Sequence, residues 1–207
     1  MGLWSTLTGR SKPVEANLDA LFALPAAAVT LQTAAGFTPT GLGSVCYRAA
    51  EGAAFAQTQA DVVELLDNDD DPDVERSTDS FGFTWLLARQ SPDDLSALVT
   101  DLHTVNTSLE AQGFGPSLLC SLIGFTDPAG RRLGLVYLYK QGTFYPFAPQ
   151  GPQQRDNLLE IQVRDLLKND LRIEPDLGRW MPVWGAPGLS QTPPCSHPPQ
   201  VFREGAR

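Results

Sequence analysis

The amino-acid sequence predicts an α+β protein, an antiparallel sheet with helices packed mainly on one face. Three observations carry that expectation. Helical and strand-like periodicities follow one another in the order α-β-(α)-β-β-α-β-β-α. A short turn of apt chemistry, Asp127-Pro128-Ala129-Gly130, joins two apolar runs as a hairpin. The length of 207 residues and the apolar fraction of 42 % suit a single core of ordinary globular composition.

The N-terminal part holds two short apolar-periodic pieces, Leu3-Trp4-Leu7 and Leu18-Leu21-Phe22, separated by the breaker Ser11-Lys12-Pro13. The small-residue stretch from Pro25 to Ala35 suits a helix, which Gly36 and Pro39 interrupt. Ser44 to Arg48 reads as a first strand, and Phe55 to Asp67 as a helix with Phe55, Gln59, Val62, Val63 and Leu66 on one face. The acidic run Asp67 to Asp73 closes that helix as a loop, because Pro72 cannot continue it and clustered carboxylates oppose a helix C-terminus. A strand is expected from Ser80 to Arg89, with Phe81, Phe83, Trp85 and Leu87 on one side. Ser91-Pro92-Asp93-Asp94 then reads as a helix start with Ser91 as N-cap. Behind it, Leu95, Leu98, Val99, Leu102, Val105 and Leu109 recur at spacings of three and four. Strands are expected over Leu118–Phe125 and Leu133–Lys140, followed by Thr143–Phe147. Pro146 has no amide proton, which confines that last strand to an edge. A final helix runs from Asp156 to about Lys168. Residues 1–189 form the expected domain, and the Pro-, Ser- and Gln-rich residues 190–207 a disordered tail.

A net charge of −9 leaves no electrostatic footprint for a phosphate backbone, so nucleic acid is not an expected partner. The three cysteines, Cys46, Cys120 and Cys195, are scattered and do not form a disulfide framework. With no basic, apolar leader at the N-terminus, a cytoplasmic protein is expected. Membrane contact is expected at most peripherally, through Leu3, Trp4 and Leu7 or through a partner.

The residues that usually carry chemistry are sparse. Of two histidines, His103 lies at the border of the long helix's apolar face, a structural position, and His197 lies in the tail beside Cys195. That pair falls short of the four ligands of a structural zinc site. The acidic run lacks the spacing of a calcium loop. Gly41-Leu42-Gly43-Ser44 lacks the later Gly and the Lys of a phosphate loop. Arg131-Arg132 reads as a solvated turn. No catalytic residue, metal or cofactor is therefore expected. Aromatic density beside proline stands out instead, in Phe144-Tyr145-Pro146-Phe147 and Trp180-Met181-Pro182-Val183-Trp184. Phe144, Tyr145, Phe147, Trp180 and Trp184 are the candidate partner-binding residues, with closure of the core as the other reading of the same positions.

Several strings in order, among them Leu21-Phe22-Ala23-Leu24-Pro25, Gly36-Phe37-Thr38-Pro39-Thr40-Gly41 and Asp79-Ser80-Phe81-Gly82-Phe83-Thr84-Trp85, resemble the PspAB family. So do Thr100 to Asn106, Thr143 to Phe147 and Pro182 to Leu189. The resemblance runs to about Leu189 and leaves the tail outside. It implies a small accessory partner in the envelope-stress system built around phage shock protein A, with no catalytic residues to carry over. The element order separately resembles the type III secretion chaperone-like fold, a binding scaffold, by analogy alone. The leading expectation is a non-catalytic adaptor that binds phage shock protein A or an associated component. The alternative is a small-ligand sensor or enzyme with a pocket between the sheet and the aromatic C-terminal segment.

Overall fold

The computed structural model of the chain describes residues 17–66, 74–151 and 153–189. The expectations for Leu3, Trp4 and Leu7, for the acidic run and for the tail with Cys195 and His197 lie outside them. A 3-10 helix over Leu18–Ala23 leads directly into α1 (Leu24–Ala35), which starts with Pro25 in its first turn. Gly36, at a φ of 74°, ends α1 with its N–H on the Gln32 carbonyl. Together these make an 18-residue helical stretch, Leu18–Ala35, with a mean hydropathy of 1.4, long and apolar enough to cross a membrane by length and composition. Reading the helix only from Pro25 misses this length. Leu18, Leu21, Leu24, Ala27 and Leu31 of the stretch face the protein's own core, and core helices pass the same test of composition.

The remaining elements are β1 (Thr38–Arg48), α2 (Ala53–Leu66), β2 (Val74–Thr78), β3 (Phe83–Arg89) and α3 (Leu95–Ala111), then β4 (Leu118–Thr126), β5 (Arg132–Leu138), β6 (Thr143–Phe147), β7 (Pro149–Gly151), β8 (Gln154–Arg155) and α4 (Asn157–Leu167). Six strands form one sheet in the order β2-β3-β1-β4-β5-β6, every neighbouring pair antiparallel, while β7 and β8 make a small separate ribbon. The α+β class and the antiparallel sheet are as expected, and β6 does lie at an edge.

Three local expectations are corrected. β1 starts six residues before Ser44 and carries a register shift between Pro39 and Gly43. The glycines there serve geometry: Gly41 sits at a φ of 75°, and a Cβ on it would collide with the Gln90 carbonyl oxygen. Ser80 and Phe81 are not in a strand; they form the turn between β2 and β3. The N-cap of α3 is Asp94, whose carboxylate accepts the Ala97 N–H at 2.9 Å, so Ser91 opens only the preceding turn.

Alternation along the strands creates two buried layers. Val45, Tyr47, Ile123, Phe125, Leu135, Tyr137 and Phe144 point toward α1, α3 and α4 and form the larger core with Leu98, Leu102 and Val163. Buried Asn106 of α3 donates to the Ser121 hydroxyl at 2.9 Å within this layer. Cys46, Trp85, Cys120, Leu122, Val136, Tyr145 and Phe147 point the other way. Among the described residues, the α-helices contribute only the partly buried Ile161 of α4 to that second face. It is closed by residues 171–189, here termed the strap, through Trp180, Ala186 and Leu189, with Trp184 packed at the margin.

The strap crosses the sheet where the sheet has no side chains to displace. Gly124 and Gly134 pair across β4 and β5. A Cβ on Gly124 would collide with the Gly188 carbonyl oxygen and stand 2.8 Å from Thr40 Oγ1. Around this backbone-to-backbone approach, Ser44 Oγ donates to the Pro187 carbonyl at 2.9 Å and Arg132 Nη1 to the Leu189 carbonyl at 2.8 Å. Arg132 is thus a fastener and not a solvated turn residue. Gly124→Ala should lower unfolding stability by about 2 kcal/mol, read from urea denaturation, because a methyl group there forces the strap outward.

Candidate interaction surface

Four of the five aromatic residues singled out in the sequence meet on the strap face. Tyr145 stacks on Trp180 with ring centroids 6.0 Å apart, and Phe147 meets Trp184 edge-on at 4.9 Å. Phe144, one residue out of phase, lies on the helix side against Tyr137 at 5.0 Å. Phe144, Tyr145, Phe147 and Trp180 are buried, and only Trp184 keeps partial exposure. The outer edge of β6 is engaged as well: the Phe144 N–H donates to the Arg172 carbonyl, and Phe144's own carbonyl accepts from Glu174 N–H, both at 2.8 Å. Aromatic composition marked a real cluster, and within this fold the cluster holds the strap in place.

Polar groups complete the docking. The Tyr145 hydroxyl donates to the Met181 carbonyl at 2.8 Å, and burial pushes its pKa upward, so it stays a neutral donor. The Trp180 indole N–H donates to the Glu174 carbonyl at 3.0 Å. Buried Glu160 of α4 accepts from the Ala148 N–H and from Arg155 Nε, both at 2.9 Å. Arg155 also donates through Nη1 to the Trp180 carbonyl at 2.6 Å, with its guanidinium 5.1 Å from the Phe147 ring centroid. One cation thereby ties helix, edge strand and strap together.

What the protein presents outward is different. Phe81, at the tip of the β2–β3 hairpin, is 81 % exposed. The turn beneath it is held by Asp79: one carboxylate oxygen accepts the N–H groups of Phe81 and Phe83, each at 2.9 Å, and the other accepts the Trp85 indole N–H at 3.0 Å. Gly82 supplies the φ of 81° that the turn needs. The strap adds Leu177 and Met181, which are 53 % and 60 % exposed. A cavity of about 270 Å³ opens between the β7–β8 ribbon and the strap, lined by Arg132, Phe147, Gln153, Val183, Trp184 and Leu189. Phe81 escaped the sequence reading because a period of two placed it on a strand face. Asp at the first and Gly at the last position of Asp79-Ser80-Phe81-Gly82 were the turn signal that could have found it.

His103 stands where the helix pattern placed it, half-buried, with its ring 4.9 Å from Phe22 and Nε2 3.3 Å from an Asp19 carboxylate oxygen. Among the described residues, no three His, Cys, Asp or Glu side chains lie close enough to hold a metal ion together.

Comparison with known protein families gives a match over nearly the whole chain. The family model PspAB, PspA associated protein B, covers residues 1–188. No curated protein and no solved structure matches the chain, so the likeness to secretion chaperones rests on element order alone.

Two outcomes follow from this geometry. Arg155→Ala strands the Glu160 carboxylate in the interior and should destabilise the fold by about 3 kcal/mol in urea titrations, with part of the loss recovered in Arg155→Met/Glu160→Gln. Asp79 behaves as a pH-sensitive latch. Burial alone would raise its pKa, but the hydrogen bonds from the Trp85 indole and from the Phe83, Phe81 and Gly82 amides outweigh that and hold it below the ordinary value. A depressed carboxyl contributes stability above its unfolded pKa and loses it as pH falls through the folded value. The Trp85 indole N–H resonance should therefore move as the solution is acidified below the normal carboxylate range, and Asp79→Asn should remove that transition.

Proposed function

Because the chain belongs to the family of PspA associated protein B, we propose that it is a cytoplasmic, non-catalytic accessory protein that binds phage shock protein A or a component associated with it. The family supports association with PspA, and two buried free thiols fit a reducing compartment. The observation that carries the binding mode is the Phe81 hairpin. An aromatic side chain that is almost fully exposed is ordinarily a liability, yet here three hydrogen bonds to one carboxylate fix the turn that displays it. A rigid aromatic anchor enters a partner's pocket with little further loss of conformational entropy, which is the condition for a binding hot spot.

A second reading rests on the cavity between the β7–β8 ribbon and the strap, which lies where a small-ligand sensor would have its pocket. Its volume is just below the roughly 300 to 1,000 Å³ of typical ligand sites, and its walls are the same side chains that anchor the strap. The accessory reading is favoured because those walls already have structural work.

Calorimetric titration of the purified protein with phage shock protein A from the same organism tests the proposal. Wild type should bind. Phe81→Ser should weaken binding by about thirtyfold, a hot-spot loss, while leaving the thermal midpoint unchanged. Equal affinity of the variant would remove the hairpin from the interface, and absence of binding by the wild type would remove the partner.

A further inference from the structure

Cys46 of β1 and Cys120 of β4 are direct partners across an antiparallel ladder. Residues so paired have Cα atoms about 4.5 to 5.5 Å apart, within the range a disulfide spans. Both thiols are free, and both belong to the layer beneath the strap, in one buried cluster with Tyr145, Trp180, Ala186 and Leu189. A side-chain hydrogen bond with Cys120, followed by burial, raises the Cys46 thiol well above its ordinary pKa. The ladder is already irregular at this point, with a register shift between Cys46 and Tyr47, so the two side chains can draw together without disturbing a regular run of pairs.

At 3 % and 9 % exposure, Cys46 and Cys120 are closed to solvent while the strap is docked. The thiolate is the nucleophile in oxidation, and burial suppresses it, so the closed protein resists oxidants. One of the contacts that hold the strap down over this cluster is the Tyr145 hydroxyl on the Met181 carbonyl. We propose that Cys46 and Cys120 are an oxidative modification site, a cross-strand dithiol that oxidants of the peroxide class convert to a disulfide when the strap lifts. The thiolate of one cysteine attacks a peroxide oxygen, the O–O bond breaks, and a sulfenic acid and water result. The sulfur of the second cysteine then displaces the sulfenic oxygen as water and closes the S–S bond. The two thiols lose two protons and two electrons, and one hydrogen peroxide becomes two waters; a dithiol reductant reverses the change. The disulfide thus records how often the strap has opened, and it bonds the floor on which the strap rests.

The test uses the full-length chain carrying Cys195→Ser, which removes the third cysteine. Samples are treated with hydrogen peroxide, quenched by alkylation and mapped by peptide mass spectrometry. The expected product is a Cys46–Cys120 linked peptide pair about 2 Da lighter than the two reduced peptides together, regenerated to free thiols by dithiothreitol. Tyr145→Phe, which deletes one hydrogen bond, and Trp184→Ala, which deletes one packing contact, should each speed its formation about tenfold through greater strap opening. Both are checked for an unchanged circular dichroism spectrum. Persistence of two alkylatable thiols, separate oxidation of each sulfur, or linkage at the same rate with and without the strap variants would overturn the proposal.

Discussion

Both faces of the central sheet are apolar, and among the described residues the helices pack mainly on one of them. Everything distinctive in this chain follows from that imbalance. Val45, Tyr47, Ile123 and Leu135 are met by α1, α3 and α4, but among the described residues the cluster of Cys46, Leu122, Val136 and Tyr145 on the reverse side receives only Ile161 from an α-helix. An antiparallel sheet often leaves its second face to water with polar residues. Here that face is built from apolar and aromatic side chains, so a further layer is obligatory, and an irregular segment supplies it. Irregular backbone leaves many of its polar groups to be satisfied from outside the segment. Hence Ser44, Arg132, Tyr145 and Arg155 reach out to the carbonyls of Pro187, Leu189, Met181 and Trp180.

The helix side is not uniformly satisfied. Tyr47 Oη and Gln59 Nε2 are buried with no hydrogen-bond partner among the described residues, and both lie in the layer where α2 packs, the Tyr47 ring 5.7 Å from Phe55 of that helix. An orphaned buried polar atom costs on the order of 1 to 3 kcal/mol. On α3, by contrast, buried Asn106 is satisfied by Ser121.

Legibility in the sequence followed regularity. The long periodic stripe of α3 and the Asp127–Gly130 turn announced themselves, because each depends on residues close in the chain. β2 did not: Val74-Glu75-Arg76-Ser77-Thr78 is short and polar, as an edge strand must be, and only its pairing with β3 makes it a strand. The strap has no periodicity at all, since its contacts are set by the surface it lies on. Its aromatics could be noticed in the sequence, but their direction depended on register: one step along β6 separates Phe144, facing the helices, from Tyr145, facing the strap. Phe81 shows the reverse error, a turn residue assigned to a face because alternation outweighed the Asp and Gly around it. Membership of a family spoke to partnership without telling which surface carries it.

Gly124 lets two stretches of backbone touch, and that contact joins segments far apart along the polypeptide. Synthesis runs from the N-terminus, so the nascent chain completes every strand of the sheet, and α4 after them, before Gly188 exists. For that interval the helix-side core can assemble while Trp85, Leu122 and Tyr145 stand bare on the other side. Exposed apolar sheet surface is what chaperones bind and what drives mispairing between neighbouring chains. The vulnerable moment for this protein on the ribosome is therefore the delay between β6 and the strap, and a slower passage through that stretch of the message would lengthen it.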